Sequence, residues 1–380
     1  MKYNFDYVSP ELRAMIEPAA KESHCFQGEL SYTEYTDSYI APFVKWGDSV
    51  GCALDSHGND IDNHLSDCET DGSFFDLQTA ETEHKTVIYL GYLIGIYGHA
   101  FTDNLRTLWF LDTDECRNLV ENGAELVYNT DFNKPFSDTF VKIFQMAGFD
   151  IHKARLIDRL IKFDKVIIPD SSIISSEYGR LYCKAFSTIL DRVRAHIPTN
   201  VGSPVYEKVY FTRSKFPHKK ESGEEKIEEY FRRAGYAIIS PEQYPLEAQL
   251  QMVSNCSCFA TTEGSIAHIS LLCRPGTKVV ILNKANYLNI HQVMINELAG
   301  LDITYIQAHH STLTHPVYPW LGPFFLYPTR YLRQFFGYKT PGSPFWLSKD
   351  YWSYYFGLNP KTRHLKKLYR FLLKLFKVRS

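Results

Sequence analysis

Residues 207–220 read EKVYFTRSKFPHKK, and residues 224–284 read EEKIEEYFRRAGYAIISPEQYPLEAQLQMVSNCSCFATTEGSIAHISLLCRPGTKVVILNK. The hydrophobic period alternates along this run. It predicts strand, basic turn, helix, strand, helix, strand, Gly-Ser turn, helix and strand. That alternation describes half of an open, mostly parallel α/β sheet. Ligands of such sheets sit at the carboxyl ends of the strands. The first turn carries Arg213, Lys215, Lys219 and Lys220, and the second carries Glu263, Gly264 and Ser265. Arg213 directly follows the strand KVYFT, so it is expected at the binding rim, where a guanidinium can grip a diphosphate with two N–H groups. Gly264 allows close approach of a backbone. Ser265 is expected to N-cap a helix from Ile266 to Cys273, whose amino end suits a phosphate.

The order VYFTR, GY.II.PE...L..Q, TTEGS and LL..PGTKVVIL resembles glycosyltransferase family 61, in the branch acting in bacterial capsular and cell-surface polysaccharide synthesis. Gln249, Gly264, Pro275 and Gly276 fall on the family's positions. Glu263 stands where the family has His, and Ser265 where it has Ala. A carboxylate at Glu263 repels a diphosphate but accepts hydrogen bonds from ribose hydroxyls, and that role is expected for it. His268, one turn into the next helix, is a candidate for the missing imidazole, or a core histidine bonded to backbone.

A second matching segment is KTVIYLGYLIGIYGHAFTDNLRTLWFLDT, residues 85–113. It is expected to run from a buried strand into a helix starting near His99. His99 and Asp103, four apart, then share a helix face. A carboxylate there orients an imidazole and stabilises its charged form, as a general base requires. Asp103 is the alternative base if His99 binds substrate. Arg106 lies on the same face, as an acceptor contact or a structural support. The family's Trp after the His is Ala100 here, and its Arg sits one residue later.

The resemblance implies two Rossmann-like domains facing a cleft, the GT-B architecture, and inverting transfer from a nucleotide-sugar to a glycan, without an obligatory metal or cofactor. Expected boundaries are 1–200 for the acceptor-side domain and 205–310 for the nucleotide-sugar domain, joined through IPTNVGSP. Asp112 and Asp114 in LDTDE, and Asp60 and Asp62 in NDIDN, are spaced to hold a divalent ion. The first pair follows the His99 segment rather than a strand, which favours a turn or cap.

The remainder refines this reading. Residues 311–360 are an aromatic-rich segment, with 16 aromatics between 317 and 356, expected to pack back on the domains, a sugar or lipid surface being the alternative. Residues 361–380 hold eight Lys/Arg and no acid, which leaves the rest of the chain at 33 basic against 43 acidic residues. On a helical wheel Leu365, Leu368, Tyr369, Leu372, Leu375 and Phe376 oppose Lys366, Lys367, Arg370, Lys374 and Lys377. A basic amphipathic helix of this kind suits an anionic membrane surface. It suggests a lipid-linked oligosaccharide acceptor and a peripheral position on the cytoplasmic face of the cell membrane. The start lacks a secretory pattern, and no apolar run of 18 residues occurs. A net charge of −2 gives no basic field for nucleic acid. Eight cysteines without a Cys-x-x-Cys pair are expected as thiols. Two other readings of the same basic rim are a sugar-phosphate transferase and a non-catalytic glycan-binding protein.

Overall fold

The computed structural model describes residues 2–45, 51–61, 72–199, 202, 204–310, 318–340, 342, 344–358 and 365. Strands in the first half are β1 (Lys2–Tyr7), β2 (Tyr32–Ala41), β3 (Cys52–Leu54), β4 (Glu81–Leu93), β5 (Glu125–Thr130), β6 (Ala154–Leu156), β7 (Ile161–Pro169), β8 (Ile173–Ser176) and β9 (Gly179–Tyr182). Those in the second half are β10 (Lys208–Phe211), β11 (Glu221–Ser222), β12 (Ala237–Ile239), β13 (Cys258–Thr262), β14 (Lys278–Asn283), β15 (Asp302–Gln307) and β16 (Phe324–Phe325). The chain divides into two compact units, residues 23–198 and residues 1–22 with 199–380.

The second of these units contains a six-stranded sheet in the order β1-β15-β14-β13-β10-β12 among the described residues. Every pairing in it is parallel. Such strands are covered on both faces, which is why VVIL and VYF are continuous apolar runs rather than alternating ones. Val209, Phe211, Val279, Ile281 and Leu282 are fully buried. The connecting helix Glu224–Arg233 turns Ile227 and Phe231 inward, and Phe231 stacks on Tyr210 with ring centres 4.4 Å apart. Expectation placed residues 1–22 with the first domain. They belong here instead, because β1 adds to the edge of the sheet beside β15. Parallel addition of a strand distant in sequence leaves no local signal.

Register decides where the site lies. Phe211, Thr261 and Ile281 are in line across β10, β13 and β14. Two residues further on, Arg213, Glu263 and Asn283 leave the sheet at one height. From β10 the chain passes to β12 on one side and then to β13 on the other. The strand order therefore reverses between β10 and β13, and ligands of open sheets bind at such a reversal.

The unit of residues 23–198 has a mixed sheet, β3-β2-β7-β4-β5-β6. β7, β4, β5 and β6 run parallel, and β2 and β3 add antiparallel. The resemblance implied a Rossmann-like domain here; the sheet is instead mixed, with two strands added at one edge after an antiparallel pairing. Tyr32–Ala41 is a ten-residue strand whose last four residues are buried. Gly179–Tyr182 pairs as a hairpin with Ile173–Ser176, and the helix Lys184–Ala195 follows it.

Aromatics of residues 318–358 pack largely on their own unit. Phe324 and Phe325 pair with Glu221 and Ser222, and Phe325, Tyr351 and Tyr354 form a buried cluster. The basic face Lys366, Lys367, Arg370, Lys374 and Lys377 lies outside the described residues. No disulfide joins the described cysteines, and no described helix is long and apolar enough to cross a membrane.

Candidate functional site

Beyond β4 the chain does not form the expected α-helix. It makes three short 3-10 turns, Tyr97–His99, Asp103–Leu105 and Leu108–Asp112. Polar side chains tie these turns to the strand they follow, and this competes with helical pairing. Asn104 donates to the Ile94 carbonyl at 2.9 Å and accepts from its amide at 2.7 Å, while Thr107 Oγ1 donates to Leu90 O at 2.8 Å. Arg106 is buried and donates to the carbonyls of Tyr92 and Asp103 at 3.1 and 2.9 Å. Its guanidinium lies against Gly91, where a β-carbon would come within 2.4 Å of Nη2. Arg106 thus braces the turn against the end of β4.

The broken turns nonetheless bring His99 and Asp103 together. His99 Nδ1 meets Asp103 Oδ2 in a close contact, with Asp103 1% exposed and His99 at 18%. A carboxylate on Nδ1 holds the proton there and places the basic lone pair on Nε2. Asp131 was missed by sequence reading. It accepts from the Tyr92 hydroxyl and from the Gly95 amide at 3.2 Å, and it interacts electrostatically with His99. Burial raises its pKa, against those hydrogen bonds. Its signal was available: Asp131 is the first residue past β5, the parallel neighbour of β4. The next residue, Phe132, has a left-handed φ of 58° and is 62% exposed. Strain of this type gathers at functional sites.

In the other unit the C-terminal rim holds Arg213, Glu221, Glu263, Gly264 and Lys284. Glu221 is buried, its Oε1 2.7 Å from Lys284 Nζ and its Oε2 3.8 Å from Arg213 Nε. Burial alone raises this carboxyl, but the two cations outweigh it and the net pKa is lowered. Glu263 goes the other way: burial pushes it up to about 8, Lys284 and the Asn283 amide opposing. At neutral pH it is therefore mostly protonated, which relieves the repulsion a carboxylate would exert on a diphosphate. Glu224 is raised to about 7 by burial; it accepts from Tyr210 Oη at 2.7 Å and from the Arg213 amide at 3.1 Å. Arg213 also lies 4.7 Å over the Phe216 ring.

Several expected residues do other work. Ser265 caps nothing: the segment is a six-residue 3-10 run, Ala267–Leu272, with Ile266 at its N-cap. The formal charge at this rim comes from side chains. Gly264 does take a left-handed φ of 112°. Lys219 pairs with Glu225 at 2.9 Å and also donates to Ser214 O, and Lys220 is exposed. Gln249 donates to the carbonyls of Pro241 and Tyr244, both at 2.9 Å, bracing a loop. His268 is buried, 3.4 Å from Asn289 Oδ1, with its ring 5.4 Å from that of His291. Asp112 accepts from Arg192 at 2.5 Å and Asp114 pairs with Arg117, so both serve as ion-pair partners on the surface. Asp62 lies outside the described residues. Lys284 and Glu221 were overlooked. The rule that selected Arg213, a cation just past a strand at this rim, selects Lys284 as well.

No curated protein matches the chain. The family model described as glycosyltransferase 61 matches residues 97–280, a span that opens at the His99 turn and closes inside β14. Over that segment, just under half of its length, the chain matches glycosyltransferase family 61, and the match supports a glycosyltransferase.

Proposed function

We propose that the chain transfers a sugar, with inversion, from a nucleotide-sugar to a glycan acceptor, and that His99 is the general base. The observation that carries this is the imidazole of His99 set on the buried carboxylate of Asp103 within the family-matched span. The acceptor hydroxyl attacks the anomeric carbon as its proton passes to His99 Nε2, and Asp103 stabilises the imidazolium. A carbon–oxygen bond forms, and the bond to the diphosphate breaks with its electron pair on the leaving oxygen. Arg213 and Lys220, with Gly264 giving backbone access, stabilise that charge. Glu263 meets the ribose hydroxyls. The reading includes a GT-B arrangement of the two units and transfer that needs no metal or cofactor. Placement of the acceptor on a membrane lipid, in bacterial surface polysaccharide synthesis, rests on the basic tail at 361–380.

The test uses His99→Ala, Asp103→Asn and the double variant, with donor binding and product formation measured apart. Each is expected to lose at least about a hundredfold in kcat, the low end of a positioned base's contribution, while donor affinity stays within about twofold. Full transfer by the double variant moves the base elsewhere. A product that retains phosphate replaces this reaction with sugar-phosphate transfer.

A further inference from the structure

Lys284 is 6% exposed, a costly place for an ammonium. Its partners there are Glu221 at 2.7 Å and the face of Phe324, 4.6 Å from Nζ. A β-carbon on Gly264 would come within 3.2 Å of Nζ. The missing side chain at 264 therefore leaves space directly beside the ammonium.

Glu221 joins two strand ends. Lys284 follows β14 and Arg213 follows β10, the strands on either side of β13. The carboxylate satisfies Lys284, yet it stands 3.8 Å from Arg213 Nε, and that buried nitrogen has no hydrogen-bond partner among the described residues. Two further buried atoms at this rim, Thr262 Oγ1 and Asn283 Oδ1, also have none among the described residues. Buried donors and acceptors are satisfied as a rule, so this rim is built for an occupant larger than one carboxylate.

We infer that Lys284 is a ligand for the diphosphate of the nucleotide-sugar, and that Glu221 is an internal counter-ion which holds Lys284 at the rim and yields it when the diphosphate arrives. This rests on the donor-binding reading given above. A diphosphate carries more negative charge than a carboxylate and spans further, so it engages Lys284 and Arg213 together where Glu221 satisfies one of them. Surrendering Lys284 leaves Glu221 close to an anion, so the carboxylate limits affinity even as it positions the cation.

The experiment is calorimetric titration with inorganic pyrophosphate and with a panel of nucleoside diphosphates, on the full chain. Glu221→Gln keeps the shape and an acceptor for Lys284 while removing the competing charge; it is expected to bind pyrophosphate about tenfold more tightly. Lys284→Met is expected to bind at least tenfold more weakly. Because that variant strands a buried carboxylate, the neutral pair Lys284→Met with Glu221→Gln is measured beside it, with thermal unfolding to confirm folding. Wild-type affinity in the folded double variant, or weaker binding by Glu221→Gln, overturns the inference and leaves the donor reading standing. Failure of the wild type to bind any nucleoside diphosphate overturns the donor reading, and the inference with it.

Discussion

At neutral pH Glu263 holds a proton that a surface glutamate would have lost, because burial outweighs Lys284 and Asn283 and lifts its pKa to about 8. The unfolded chain releases that proton near the ordinary glutamate value. Above that value the unfolded state therefore binds fewer protons than the folded one, and stability falls with rising pH. This contribution is fully present below the unfolded pKa, declines between it and about 8, and is gone above. Glu224, lifted to about 7 chiefly by burial, adds loss in the same direction. Glu263→Gln removes the larger part. Urea unfolding from pH 5 to 9 is expected to show the wild type losing a few kcal/mol more than the variant, on the order of the shift converted at about 1.4 kcal/mol per pKa unit. Parallel pH profiles sink the assignment. Identity alone marked Glu263 as a departure from the family. Its protonation follows from burial in the folded sheet, which no inspection of TTEGS discloses.

The element that carries His99 is held by side chains, since its turns lack the regular hydrogen bonds of an α-helix. Spacing of four brought His99 and Asp103 together as expected, although by a different backbone. A 3-10 turn, a break and a second 3-10 turn replace one continuous helix. Gly91 is the hinge of this arrangement. It sits where β4 shifts register, with φ at 97°, and Arg106 occupies the space a side chain would take. Gly91→Ala is expected to cost about 1–3 kcal/mol of backbone strain alone. Displacement of Arg106 adds to that and loosens the His99 turn, so kcat should fall more than donor affinity does. A variant with wild-type melting temperature and kcat contradicts the role given to Arg106.

On the scale of the whole molecule, one strand travels furthest: β1, at the amino end, completes the sheet built from residues 208–307. The basic tail makes the other large-scale claim. Deleting residues 361–380 is expected to abolish sedimentation with vesicles of anionic phospholipid at low salt, while leaving transfer to a soluble acceptor intact, since about 1 kcal/mol per basic residue is lost. Undiminished vesicle binding transfers the role to exposed aromatics such as Trp320 and Trp346. The strand-helix alternation of residues 208–283, the rim position of Arg213 and Glu263, and the His99–Asp103 pairing were all legible in the chain, because hydrophobic period and short spacing are local properties. Lys284 with Glu221, Asp131 beside His99, the docking of β1 and the antiparallel edge strands were decided by tertiary structure. Each joins residues far apart in sequence, and only the register of packed strands sets the distances on which their charge and protonation depend.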